Sequence, residues 1–73
     1  MDRNENPLRR FGQLLTRLRE QKNLSVSELA SRSGIDSRQL IRIEAGEVNF
    51  HFTTILALAK GLGVTPEELL EPL

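Results

Sequence analysis

Ser37, Arg38, Gln39 and Arg42 are the side chains of this 73-residue chain whose types and spacing carry the clearest chemistry. A guanidinium presents a rigid fork of donors, a carboxamide sets a donor beside an acceptor, and a hydroxyl serves as either. Such groups suit hydrogen bonding to fixed patterns of donors and acceptors, of the kind found on base edges and phosphate oxygens. Bond-breaking chemistry has far weaker candidates. His51 is the single histidine and cysteine is absent, so a metal site is not expected. No serine, histidine and carboxylate trio, glycine-rich phosphate loop or carboxylate pair beside a cleft can be assembled in so small a domain. Glu67, Glu68 and Glu71 form an acidic patch, but acidic residues near a helix start are accounted for by the helix dipole. The chain is therefore expected to bind rather than catalyse, with no cofactor.

The elements that must hold these side chains are marked at their ends. Asn6 followed by Pro7 reads as a helix cap with proline at the first helical position. Ser25 with Glu28, Asp36 with Gln39, and Thr65 with Glu68 each have the spacing of a capping box. The residue before each cap pairs with the fourth helical residue as a hydrophobic staple: Leu24 with Leu29, Ile35 with Leu40, Val64 with Leu69. These signals predict helices over about residues 7–21, 26–33, 37–45, 52–62 and 66–71, with Gly34, Gly46 and Gly63 as stops and Asn23 in a left-handed turn. The fourth start is the least marked, with His51 or Thr53 as its cap. Phe11, Leu14, Leu15 and Leu18 form one apolar stripe on the first helix. No strand-like alternation is left over, so the fold class is all-α.

Residues 25–46 are two short helices joined by Ser33-Gly34-Ile35-Asp36, the layout of a helix-turn-helix. A steep crossing of short helices needs a small contact residue, and Ala30 stands four residues before the turn glycine. Leu29, Ile35, Leu40 and Ile43 fall on the inner faces. That leaves Ser37, Arg38, Gln39 and Arg42 as the polar residues on the free face of the second helix.

These residues resemble the Cro and phage-repressor type of helix-turn-helix transcription regulators, the xenobiotic-response-element-like family that includes restriction-modification controller proteins. The resemblance spans about residues 8–71 and rests on Leu24-Ser25-x-x-Glu28-Leu29-Ala30, Ser33-Gly34-Ile35, Leu40-x-x-Ile43-Glu44-x-Gly46 and Leu58-Ala59-Lys60-x-Leu62-Gly63-Val64. It implies a five-helix lambda-repressor-like domain that binds a pseudo-palindromic operator in double-stranded DNA as a homodimer. Within that family Ser37, Arg38 and Arg42 match base-reading positions, with Gln39 beside them. Ser25, Val26, Asn49 and His51 are expected near phosphates. Arg19 and Glu44 match a structural ion pair that ties the first helix to the end of the third. Two positions depart from the family. Val26 replaces the usual glutamine at the start of the second helix, and the loop Glu47-Val48-Asn49-Phe50-His51-Phe52 lacks the usual proline. Phe50 and Phe52 are each assignable to core or interface.

Composition bounds the assembly. A chain of this length buries only about 60% of its unfolded surface and has no disulfide to staple it, so self-association is expected. Formal net charge is zero, yet residues 1–46 carry nine Lys/Arg and six Asp/Glu while residues 47–73 carry one Lys and four Asp/Glu. One end can face phosphate and the other cannot. The fourth and fifth helices hold more apolar residues than one inner face needs, which places the expected dimer contact within about residues 50–73, at Phe52, Leu56, Leu70 and Leu73. Residues 1–6 are expected to form a loose polar arm ahead of the domain at 7–73. The N-terminus lacks a signal-peptide layout and the longest apolar run, from Ile55 to Ala59, is too short to span a membrane, so a cytoplasmic location is expected. The competing function is a protein-interaction module such as an antitoxin or anti-repressor, which Val26 and the zero net charge favour and the arginines oppose.

Overall fold

The computed structural model describes residues 6–71. Five helices follow in order: α1 (Pro7–Gln21), α2 (Val26–Ser33), α3 (Ser37–Glu44), α4 (Phe52–Leu62) and α5 (Pro66–Leu70), with no strand among the described residues. Ala45 and Glu71 are the C-caps of α3 and α5, so each helix is one residue shorter than its sequence pattern predicts. Of the expected arm only Asn6 is described, and it belongs to α1: its Oδ1 accepts the Arg9 N–H at 2.8 Å.

Two of the three capping boxes form. The Ser25 hydroxyl accepts the Glu28 N–H at 3.0 Å while the Glu28 carboxylate accepts the Ser25 N–H at 2.8 Å. That backbone bond, helped by the Ser25 hydroxyl, holds the Glu28 carboxyl below the usual carboxylate range. Thr65 and Glu68 exchange the same pair of bonds at the start of α5. Asp36 and Gln39 do not. The Asp36 carboxylate bonds one residue earlier, accepting the Arg38 N–H at 2.9 Å. An ionised aspartate caps α3 by itself, and the neutral Gln39 amide is a weaker acceptor for the reciprocal bond than a glutamate. At α4 the N-cap is His51, whose side chain makes no cap hydrogen bond.

The helices pack as two crossed sets, α2 against α3 and α4, and α1 against α3 and α5, with α4 also touching α5. Their shared core is Phe11, Leu15, Leu24, Leu29, Ala30, Leu40, Ile43, Ile55, Leu58, Ala59, Leu62 and Leu69. Of the apolar stripe on α1, Phe11 and Leu15 are buried and Leu14 and Leu18 half-buried. Phe50 tilts its ring onto Phe11, with centroids 4.8 Å apart, and so closes the core beneath the α3–α4 loop. Ala30 is buried as the small contact residue of α2, and Gly61 adds a second close approach: a methyl group there would meet the Ser33 hydroxyl and lie 3.2 Å from Leu29 Cδ1. Among the described residues no helix is long and apolar enough to cross a membrane, and no group of three metal-ligating side chains gathers.

Candidate nucleic-acid interface

α3 is eight residues long, too short to be stable without tertiary contacts. Leu40 and Ile43 supply those contacts, being fully buried. The opposite stripe follows from helical geometry. Arg38, Ile41, Arg42 and Ala45 are spaced at i, i+3, i+4 and i+7, and all four are exposed. Gln39 is exposed on the flank, and Ser37, the first helical residue, is half-buried. Neither arginine forms an ion pair or side-chain hydrogen bond among the described residues. The missing Asp36–Gln39 box therefore has a consequence: the Gln39 amide is not consumed as a cap and instead lines a shallow depression with Asn49, Phe50 and His51.

The position of this stripe is set from behind. Arg19 on α1 donates from Nε to Glu44 Oε2 at 2.8 Å and from Nη2 to Oε1 at 3.2 Å, a two-point grip on the last residue of α3. Its Nη1 donates to the Leu24 carbonyl at 2.9 Å, which fixes the link between α1 and α2 as well. The two side chains are only 13% and 10% exposed. The Glu44 hydrogen bond raises the Arg19 pKa against the opposing effect of burial, so the guanidinium stays charged. A carboxylate at a helix C-terminus is unfavourable on its own, and Arg19 offsets that cost.

Two glycines bring the backbones together at the same joint. A methyl group on Gly12 would collide with the Glu44 carbonyl oxygen and lie 2.7 Å from that of Ile43. Gly46 has φ +73°, a left-handed conformation, and a methyl there would sit 2.8 Å from Arg9 Cα. At the other end of α3, Gly34 at φ +71° allows the sharp turn out of α2.

The remaining sequence-predicted residues fall around this stripe. Ser25 is the exposed N-cap of α2, its hydroxyl accepting the Glu28 N–H and facing the Glu28 carboxylate. Val26, at the first position of α2, is half-buried against the core, so it offers an N–H and no polar side chain. Asn49 Oδ1 accepts the Phe50 N–H at 3.1 Å, which leaves its NH₂ group as an exposed donor, and His51 is exposed beside it. The apolar residues divide. Phe52 is 60% exposed, and Leu56, one turn along α4, and Leu70 on α5 are exposed too. Leu73 lies outside the described residues. Sequence reasoning gave no role to Ile41, which is 54% exposed in the middle of the cationic stripe.

A family model described as a helix-turn-helix domain matches residues 10–73. Over 61 residues the chain is 38% identical to y4dJ, an uncharacterized helix-turn-helix-type transcriptional regulator of Sinorhizobium fredii, covering 84% of this chain and 79% of that protein. The restriction-modification controller protein C.AhdI of Aeromonas hydrophila is 42% identical and matches with a TM-score of 0.83 over 85% of this chain and 94% of its own. NHTF, a hypothetical transcription factor of Neisseria, is 28% identical with a TM-score of 0.81, covering 96% of this chain and 79% of that one.

The joint behind α3 is open to direct test. Glu44→Ala strands the Arg19 charge in a part-buried site, at a cost of about 1–3 kcal/mol, and Gly12→Ala forces backbone apart, at about 1–3 kcal/mol or more. Thermal melts are expected to fall by about 4–8 °C per kcal/mol for each variant. A melt that overlays the parent for either variant contradicts the corresponding contact.

Proposed function

We propose, given that this chain belongs to the helix-turn-helix domain family and is a DNA-binding transcription regulator, that it reads a pseudo-palindromic operator as a homodimer with α3 of each protomer in a major groove. The observation that carries this reading is the pair of exposed arginines, Arg38 and Arg42, without partners among the described residues and opposite the locked side chains Leu40 and Ile43. A guanidinium one turn from another suits bidentate bonding to O6 and N7 of successive guanines. Ser37 and Gln39 reach base edges at the flank. Phosphates take the Ser25 hydroxyl, the Val26 N–H at the start of α2, the Asn49 amide and the His51 ring. Affinity then comes mostly from the phosphates and falls with salt, while discrimination comes from α3. The protein acts in the cytoplasm by binding alone, without catalysis or a cofactor.

The two protomers meet through Phe52 and Leu56 of α4 and Leu70 of α5. These are three of the four large apolar side chains that are exposed among the described residues, and they lie in the half of the chain with a net negative charge. A two-fold contact there sets both copies of α3 on one side of the duplex, about 34 Å apart.

Arg38→Ala and Arg42→Ala should each cost about 1–3 kcal/mol on the operator and relax preference at one base position, with helical content unchanged. Competition binding measures this, and undiminished affinity in both variants removes α3 from the reader's role. For the assembly, the parent should sediment as a dimer at micromolar concentration, with Leu56→Glu and Leu70→Glu shifting it to monomer and weakening operator binding together. A monomeric parent, or two variants that stay dimeric, places the contact elsewhere.

A further inference from the structure

α3 contains three large aliphatic residues, and only two of them go inward. Leu40 and Ile43 are fully buried, whereas Ile41 is 54% exposed. The other exposed apolar side chains, Phe52, Leu56 and Leu70, belong to α4 and α5 and are accounted for by the protomer contact. Ile41 belongs to neither the core nor that face. It lies three residues after Arg38 and directly before Arg42, on the stripe that both arginines share.

An apolar protein surface that covered Ile41 would also take the two guanidinium groups, unpartnered among the described residues, out of water uncompensated, so the isoleucine does not fit one. It does fit a surface that is polyanionic and presents an isolated apolar group. The major groove of DNA is such a surface, and the apolar group it offers on a base edge is the C5-methyl of thymine. We propose that Ile41 is a specificity-determining residue that recognises a thymine methyl in the operator half-site, next to the base pairs that Arg38 and Arg42 address. This rests on α3 being the base-reading helix.

The side chain is suited to the task. A β-branched residue in a helix is held in one preferred χ1 rotamer, so Ile41 presents a fixed apolar surface with little freedom to lose on contact. Selectivity has two sources. Thymine gains the burial of its methyl group, and cytosine at the same place would press its N4 donor against a hydrocarbon and lose a hydrogen bond to water. Hydrogen bonding by the arginines and methyl recognition by Ile41 are thus complementary, because neither guanidinium distinguishes thymine from uracil.

The test exploits that last point. The duplex recovered by selection from a random pool is titrated with the parent protein and with Ile41→Ser, alongside duplexes in which single thymines are replaced by deoxyuridine. Each replacement deletes one methyl group and leaves base pairing intact. The parent should lose about fourfold in affinity at one thymine position of the half-site, the worth of one methyl group removed from water. Ile41→Ser should bind the thymine and uracil duplexes equally at that position, with parental helical content. A parent indifferent to uracil at every thymine, or an Ile41→Ser variant that keeps the parental uracil penalty, overturns the assignment. If operator binding still responds to Arg38→Ala in that case, base reading by α3 stands and only the role of Ile41 falls. If no duplex is selected at all, both fall together.

Discussion

Arg19 grips Glu44 through two parallel hydrogen bonds, and at Gly12 the backbone of α1 rests on the last carbonyls of α3. This joint is what makes an eight-residue helix into a rigid platform. It acts on the end and the back of α3, through the terminal carboxylate and backbone, and uses none of the side chains on the outward stripe. The same guanidinium also binds the Leu24 carbonyl, so the entry to α2 is fixed from the same point. Both helices of the helix-turn-helix are therefore referenced to α1, and the outward side chains inherit a defined position without being consumed in holding it.

A division between surfaces follows. The stripe of Arg38, Ile41, Arg42 and Ala45 carries positive charge. On α4, α5 and the residue that follows, Phe52, Leu56 and Leu70 are exposed, and so are Glu67, Glu68 and Glu71. A formal net charge of zero hides this separation, since the two halves of the chain carry opposite excesses. Under the proposed reading the first surface meets the polyanion and the second takes the partner copy.

How much of this was legible in the sequence depended on the range of the interaction. Helix ends read well because caps are local: Ser25 with Glu28 and Thr65 with Glu68 are three residues apart, and both boxes form. Asp36 and Gln39 had the same spacing but not the same chemistry, and the carboxylate capped the helix alone. Arg19 and Glu44 are 25 residues apart, so nothing in their spacing pairs them, and only the family resemblance suggested it. Gly12 and Gly61 gave no signal, because a glycine inside a helix is ordinarily just a weak helix former; the close approach that requires it exists only in three dimensions. Ile41 carries no signal in the sequence because Leu40 and Ile43 already satisfy the inward periodicity of α3. Phe50 and Phe52, alike in sequence, part in the structure, one onto Phe11 and the other into solvent.

The central claim is that the outward stripe of α3 reads base sequence, twice, in a two-fold arrangement. Selection of bound duplexes from a random pool tests it most directly, since it presupposes neither operator nor partner. The account predicts enrichment of an inverted repeat whose half-sites are centred roughly 10 base pairs apart, one turn of the duplex. Recovery of duplexes with no common sequence, or of a single asymmetric site with no second half, would contradict it.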